Sequence, residues 1–337
     1  MTEKNTIKFA VLGCGHIGKR HAALINSNPD CSLVALLDIK NKDALNINKY
    51  DVPFFSSIEE MMQRGINPDV LCIATPNGLH ELHALMGIKA GCHVVIEKPM
   101  ALTKAGCEKI VHEAERKSKQ VFCVMQNRYS PPSVWLKDLL RQNILGKIFM
   151  VQINCYWNRD ERYYTGKTWH GSEHMDGGVL FTQFSHFIDI MYWLFGDITN
   201  IKSRFANFNH QYLTEFDDSG IVQFDFVKGG TGSINFSTSV WDKNLESSIT
   251  IIAENGTVKV GGQYMNEVEV CHIKNYAMPA LTATNPGNDY GSYKGSAANH
   301  HFIFENVVDV LTNGASITTN ATDGMKVVEI IERIYSA

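Results

Sequence analysis

Through the first 125 residues, short apolar runs alternate with stretches whose apolar positions recur every three or four residues. IKFAVLG precedes a helical pattern near 17–28, SLVALLD one from about 41, DVLCIA one at about 78–90 and HVVIE one at about 103–118; QVFCVM closes the series. Runs that are apolar almost throughout belong to strands buried on both faces, as in a parallel sheet covered by helices. The alternation therefore predicts a doubly wound α/β domain over residues 1–125.

From residue 126 the rhythm changes. GKIFMVQINCYW predicts a long strand, and a Gly-Gly pair opens a helix at about 178–195. IVQFDFVKGGTGSINFSTSV predicts a hairpin turning at Lys228-Gly229-Gly230, and SSITIIAENGTVKV one turning at Glu254-Asn255-Gly256. Residues 274–296 are rich in turn formers and read as a long loop, before helical patterns near 298–312 and 322–335. The second domain, 126–337, is expected to be α+β with a large, mainly antiparallel sheet. The chain has no internal repeat.

Composition narrows the function classes. A chain of 337 residues suits two domains, and 44% apolar with 20% charged residues is ordinary globular composition. A net charge of −4 without a basic run gives no footprint for nucleic acid or a membrane surface. No apolar stretch nears the roughly 20 residues of a spanning helix. MTEKNTIKFA enters a strand pattern without a signal segment, so a cytosolic protein is expected. The eight cysteines never form CxxC and read as buried, reduced thiols. His80-Glu81-Leu82-His83 lacks the HExxH order and His300-His301 are adjacent, so no metal site is predicted.

Chemistry enters at Gly13-Cys14-Gly15-His16-Ile17-Gly18, which fits GxGxxG between a predicted strand and a predicted helix. That context is what the Rossmann dinucleotide fingerprint requires. Its first glycine makes the tight turn, the second admits a pyrophosphate to the backbone, and the third lets helix and strand pack. The phosphates then meet the positive end of the helix dipole. Asp38, 20 residues after Gly18, ends the next strand, where a carboxylate accepts from adenosine ribose hydroxyls and repels a 2′-phosphate. NAD is predicted over NADP, with Lys40 the one feature that weakens the preference. Thr75-Pro76-Asn77 and Glu97-Lys98-Pro99 end two further strands, on the side where such sheets bind ligands. Thr75, Asn77 and His80 of ATPNGLH, with Glu97, Lys98 and Asn127, complete the candidate cofactor contacts. Pro99 admits a cis bond. A lysine beside a positive nicotinamide has its pKa lowered, which suits proton transfer or polarisation of an alcohol oxygen. Taken alone, Lys98 reads equally well as a surface lysine at a loop start.

GCGHIG, Asp38, ATPNGLH, VIEKPMALT and GGVLFTQFSHFID together resemble the Gfo/Idh/MocA family of NAD(P)-dependent sugar and cyclitol oxidoreductases, over essentially the whole chain. The resemblance implies that Lys98 lies between nicotinamide and substrate and that His186 is the histidine of the GG…HxxD segment. An imidazole with a pKa near 6.5 suits removal of a hydroxyl proton as hydride leaves carbon. His186 and Asp189, three apart, share a helix face; without the resemblance a core or capping histidine is the plainer reading. Many relatives carry an acidic residue four before this histidine. Here it is Thr182, which cannot act as a base, and neither Gln183 nor Ser185 replaces it. The proton is then expected to leave through His186, Lys98, or both.

The stretch from QNRY through YWNRDERYY to the GG…HxxD segment resembles the branch that oxidises the 3-hydroxyl of UDP-N-acetylglucosaminuronic acid in bacterial surface-polysaccharide (lipopolysaccharide) biosynthesis. Such a substrate carries a diphosphate and a carboxylate, and Arg128, Arg159, Arg162 and Lys167 suit those groups. Tyr163, Tyr164 and Trp169 suit a sugar ring, with Lys98, Thr182 and His186 completing the candidate substrate contacts. The resemblance also implies a homo-oligomer, dimer or tetramer, built on the second-domain sheet, and in some members of the branch re-oxidation of bound NADH by 2-oxoglutarate. A dehydrogenase of a free cyclitol or aldose, an NAD-sensing regulator without turnover and a structural subunit of a larger assembly are the rival readings.

Overall fold

The structure, a computed structural model, describes residues 6–166, 169–291 and 293–337. Lys167 lies outside them. Two compact units divide the chain, Met1–Val124 with His300–Val328, and Met125–Asn299 with Glu329–Ala337.

In the first unit β1 (Ile7–Leu12), α1 (His16–Ser27), β2 (Cys31–Leu37), β3 (Phe54–Phe55), α2 (Ile58–Gln63), β4 (Val70–Ile73), α3 (His80–Lys89), β5 (His93–Ile96), α4 (Lys104–Arg116) and β6 (Val121–Cys123) follow one another. The strands pair in the order β3-β2-β1-β4-β5-β6, every pair parallel. This is the doubly wound Rossmann arrangement, whose strand order reverses between β1 and β4. Every residue of β4 is buried, which is why its run is apolar without alternation. The helix expected from residue 41 does not form. Asn41 Oδ1 accepts from Ala44 N–H at 2.8 Å, Asn46 adopts a φ of 52°, and Lys42 Nζ donates to the carbonyls of Tyr50 and Val52. In this Asn- and Asp-rich stretch, side chains offer the backbone alternatives to helical bonding. Helix begins again only at α2, where Ser57 Oγ caps Glu60 N–H.

The helix His300–Asn313 returns to this unit. Phe304 meets the rings of Phe9 and His21 edge-on at 5.9 and 5.1 Å, and Cys123 N–H donates to Thr319 O at 2.8 Å beside β6. Sequence rhythm placed all of 126–337 in one block. An amphipathic helix declares that one face is buried, not against which sheet.

In the second unit, α5 (Pro131–Arg141) and β7 (Ile148–Tyr156) lead to three short helices, α6 (Glu161–Tyr164), α7 (Glu173–Asp176) and α8 (Val179–Thr182), and the longer α9 (Ser185–Phe195). Strands β8 (Ile198–Ala206), β9 (Ser219–Phe226), β10 (Thr231–Ser237), β11 (Glu246–Ala253), β12 (Gly256–Gly261) and β13 (Glu267–Ile273) follow. They pair with β7 in the order β13-β12-β11-β7-β10-β9-β8, and only β10 with β7 is parallel. Both expected hairpins form. The β9–β10 turn uses Gly229 and Gly230 at φ 98° and 90°, and a Cβ on Gly230 would lie 2.7 Å from Ile148 O. The buried face of this sheet meets α9, with Trp157 edge-on to Phe184 and Phe187. The helix expected over 178–195 is broken at Gln183–Phe184, where Phe184 N–H reaches back to Val179 O. The expected loop at 274–296 carries two short antiparallel strands, Gly287–Asp289 and Lys294–Ala297.

Candidate active site

In the first unit the glycine motif leads from β1 into α1. Gly13 has a φ of 88°, and a Cβ there would sit 2.6 Å from Ala74 O. A Cβ on Gly18 would lie 1.8 Å from Gly13 O, so helix and turn touch backbone to backbone. Gly15 differs, with nothing within 4 Å of its Cβ position. Gly15 and His16 are exposed, while Ile17 is half-buried. The first turn of α1 has neither a capping side chain nor an acidic residue, leaving its N–H groups for an anion. Asp38 Oδ2 accepts from Cys14 N–H at 2.7 Å and Oδ1 from Lys40 N–H at 2.9 Å. The carboxylate is thus oriented by the turn it stands beside, and these residues fit the pyrophosphate and ribose of a dinucleotide. Burial, with the Asp38 charge, pushes the Cys14 thiol up to about 12, so it stays protonated.

The corner after β5 is held from two sides. The Lys98–Pro99 peptide is cis. His80 Nδ1 lies 2.6 Å from Pro99 O and Nε2 2.8 Å from Thr75 O. Carbonyl oxygens only accept, so both contacts are hydrogen bonds only when each ring nitrogen carries a proton. Burial opposes that and pushes the imidazole pKa down, against those bonds and the Glu97 charge. His80, expected to touch the cofactor, has both nitrogens on the backbone and clamps the end of β4 to the corner. Thr75 Oγ1 meets His83 Nδ1 at 2.9 Å, and Asn77 is buried. Glu97 Oε2 accepts from Lys98 N–H at 3.3 Å, and Oε1 meets His21 Nε2 at 2.9 Å with His300 Nε2 at 3.6 Å. Burial alone would raise this carboxyl; the His21 hydrogen bond and the nearby positive charges outweigh it and hold the pKa at about 2. Lys98 itself is half-buried.

His21, Glu97 and His300 lie close enough to hold a metal ion, although their sequence spacing gave no sign of it. Metal-bound imidazoles use their second nitrogen on an outer acceptor. Among the described residues His21 Nδ1 and His300 Nδ1 have no hydrogen-bond partner, so the cluster is better described as a buried ionic network.

In the second unit His186 stands in the first turn of α9 and is buried. Its Nε2 faces Gln126 Nε2 at 3.3 Å. A carboxamide donates to an unprotonated ring nitrogen or, flipped, accepts from a protonated one, so Gln126 meets His186 in either state. Asn127 Oδ1 accepts from Ser296 Oγ at 2.5 Å, while its buried Nδ2 lacks a partner among the described residues, a donor that a ligand would satisfy. Asp189, expected on the face of His186, is taken by Arg128 in a fully buried bidentate pair, at 2.9 and 2.6 Å.

The arginines expected to receive the anions of a substrate are engaged within the protein. Arg128 holds Asp189, and Arg162 holds Asp160. Arg159 is fully buried between the rings of Trp157, Tyr163 and Tyr293, at 4.8–5.2 Å. It donates to Gln183 Oε1, Asn158 O, Asn244 Oδ1 and Lys294 O, and burial lowers its pKa. Four of its five N–H groups are spent in this way, so it serves first to tie these surrounding segments together. Gln183 passes the link on to Tyr163 OH at 2.8 Å, and this pull accompanies the break between α8 and α9. Tyr163 and Tyr164 pack edge-on at 4.9 Å, and Trp169 lies over His170 at 3.9 Å. Burial raises both tyrosine pKa values, so the phenols stay protonated.

Sequence reasoning missed one carboxylate. Thr182 Oγ1 contacts both Asp176 O and Asp176 Oδ1, so a buried acid stands directly behind this threonine. Only its place before Gly177-Gly178 marks it in the chain, and no periodicity does. Gln126, within QNRY, was equally silent.

Residues 7–125 match the oxidoreductase family with the NAD-binding Rossmann fold, Gfo/Idh/MocA, and residues 134–259 match the Gfo/Idh/MocA C-terminal domain. The WlbA dehydrogenase from Bordetella pertussis, in complex with NADH and UDP-GlcNAcA, is 30% identical over 98% of this chain and 96% of that one, with a TM-score of 0.86. The WlbA dehydrogenase from Chromobacterium violaceum, with the same two ligands, is 28% identical over 100% of this chain and 94% of that one, at 0.87. An inositol 2-dehydrogenase/D-chiro-inositol 3-dehydrogenase of Halalkalibacterium halodurans is 26% identical over 231 residues, 67% of this chain and 63% of its own.

Proposed function

The chain belongs to the Gfo/Idh/MocA family and is an NAD-dependent oxidoreductase, and from that premise we propose that it oxidises the sugar 3-hydroxyl of UDP-N-acetylglucosaminuronic acid (UDP-GlcNAcA) to the 3-keto sugar. The observation that carries the reading is the near-complete likeness to two dehydrogenase structures bound to NADH and UDP-GlcNAcA. Bound NAD would supply the acceptor for the hydride leaving the carbinol carbon. Gly13, Gly15, His16, Ile17 and Gly18 hold its pyrophosphate in this reading, and Asp38 its adenosine ribose. The imidazole of His186 takes the hydroxyl proton, with Gln126 keeping the ring oriented as its protonation changes. Lys98 Nζ donates to the same oxygen and stabilises its developing negative charge. Asn127 offers a ligand its Nδ2, which lacks a partner among the described residues. Tyr163, Tyr164 and Trp169 wall the sugar, and Arg159 supports them.

The same reading places the product in surface-polysaccharide synthesis, with 2-oxoglutarate as re-oxidant of retained NADH. It includes a homodimer or homotetramer, which exposed apolar side chains on the second sheet favour, Met150 and Ile252 being register partners there. No helix among the described residues is long and apolar enough to cross a membrane. The test is the absorbance of reduced nicotinamide on mixing protein, NAD and UDP-GlcNAcA, followed by 2-oxoglutarate. A rise with the sugar and a fall with the keto acid are expected. A rise with a free cyclitol or aldose alone would replace the substrate assignment.

A further inference from the structure

We propose that Glu97 is a positioning residue for the reaction, acting through Lys98 by keeping that side chain an ammonium, so that Lys98 donates to the reacting oxygen and the hydroxyl proton goes to His186. The inference rests on the reading of His186 as the proton acceptor of an alcohol oxidation. Glu97 follows β5, immediately before Lys98, and is 7% exposed. Both of its carboxylate oxygens are held. Oε1 lies 2.9 Å from Nε2 of the fully buried His21 on α1, and Oε2 accepts from Lys98 N–H at 3.3 Å. The carboxylate is therefore fixed in place beside the lysine it acts on.

A lysine beside a positive nicotinamide loses its proton more readily, which would make Lys98 a second base. A fixed negative charge opposes this, because an opposite charge favours the ionised form. The groups facing the corner are Arg20 and His21 on α1, Cys72 on β4, His80 at the start of α3 and His300 on the helix His300–Asn313. Burial keeps the Cys72 thiol protonated and pushes both the His80 and His300 imidazoles down, His300 to about 3. Of Glu97 and these groups, only Glu97 is an anion at neutral pH. Burial disfavours its charge, but the His21 hydrogen bond and nearby positive charge, that of Lys98 included, hold its pKa at about 2. The attraction is mutual, so the carboxylate favours the ammonium as the ammonium favours the carboxylate.

The experiment first reads the ionisation of Lys98 in the cofactor-free protein, from the pH dependence of its acetylation by acetic anhydride, located by peptide mass. Wild type and Glu97→Gln are compared across the neutral to alkaline range. The Glu97→Gln midpoint is expected about one pH unit or more below that of wild type. The same displacement should appear in the alkaline limb of kcat, on whichever alcohol the wild type oxidises, UDP-GlcNAcA or a free cyclitol. In the Glu97→Gln/Lys98→Met double variant, kcat should differ from that of Lys98→Met by less than about twofold, because the effect passes through the amine already removed. A merely structural carboxylate would instead add its full cost. An unmoved midpoint, an unmoved limb or an additive double variant overturns the proposal. So does a wild type whose kcat climbs as Lys98 loses its proton, a result that stands even if Glu97→Gln does not fold. A failed substrate assignment shows in the wild type's choice of alcohol and leaves the acetylation midpoints as they are, so the two failures are distinguishable. A wild type that oxidises neither alcohol overturns both.

Discussion

Lys98 and His186 differ in how much of their surroundings the chain has committed. His186 is buried against Gln126, and Lys98 is half-buried at a corner whose backbone is held by His80 and Glu97. Replacing either with a residue of similar size that cannot transfer a proton, Lys98→Met or His186→Asn, should lower kcat roughly 10²–10⁴-fold while NAD still binds. Turnover together with a cofactor titration checks this, and wild-type turnover in both variants would sink the assignment. Arg128 is a different case. Its guanidinium and Asp189 are almost fully buried, so Arg128→Ala leaves a carboxylate in the interior without its counter-charge. The expected loss is about 3–5 kcal/mol of stability, read by denaturant unfolding. A loss below about 1 kcal/mol would mean that the pair is far better solvated than its burial implies.

At the scale of elements, the turn between β1 and α1 separates folding from binding glycine by glycine. Gly18 is packed on Gly13 O, whereas the Cβ position of Gly15 is open. Gly18→Ala should therefore destabilise the first unit as well as weaken NAD binding. Gly15→Ala should melt within a degree or so of wild type yet lose NAD affinity, because its methyl projects where the pyrophosphate approaches. Thermal melts with and without NAD distinguish the two, and equal destabilisation by both would contradict the geometry. This turn was fully legible in the sequence, since its chemistry is written in six consecutive residues. The break between α8 and α9 was not. It coincides with the hold of Arg159 and Tyr163 on Gln183, from 24 and 20 residues away.

For the whole molecule, acid is the revealing variable. Burial pushes His300 from 6.5 to about 3, and Glu97 falls from 4.5 to about 2. Both folded values lie below the unfolded ones, so the unfolded chain binds more protons as pH falls and stability declines with it. The decline should begin near pH 6.5 on account of His300 and continue from about 4.5 toward 2 on account of Glu97. Urea midpoints between pH 7.5 and 4 test this, and His300→Gln should flatten the upper part. An unchanged slope would mean that His300 titrates normally. The sequence by itself determined the parallel Rossmann unit, its NAD loop and the antiparallel hairpins of the second sheet, because periodicity and turn chemistry act between near neighbours. Only the tertiary structure decided that Asp189 faces Arg128 rather than His186, that Asp176 stands behind Thr182, and that His300–Val328 joins the first unit. A buried charge is satisfied by whichever partner packing brings to it, and that choice leaves no trace in local spacing.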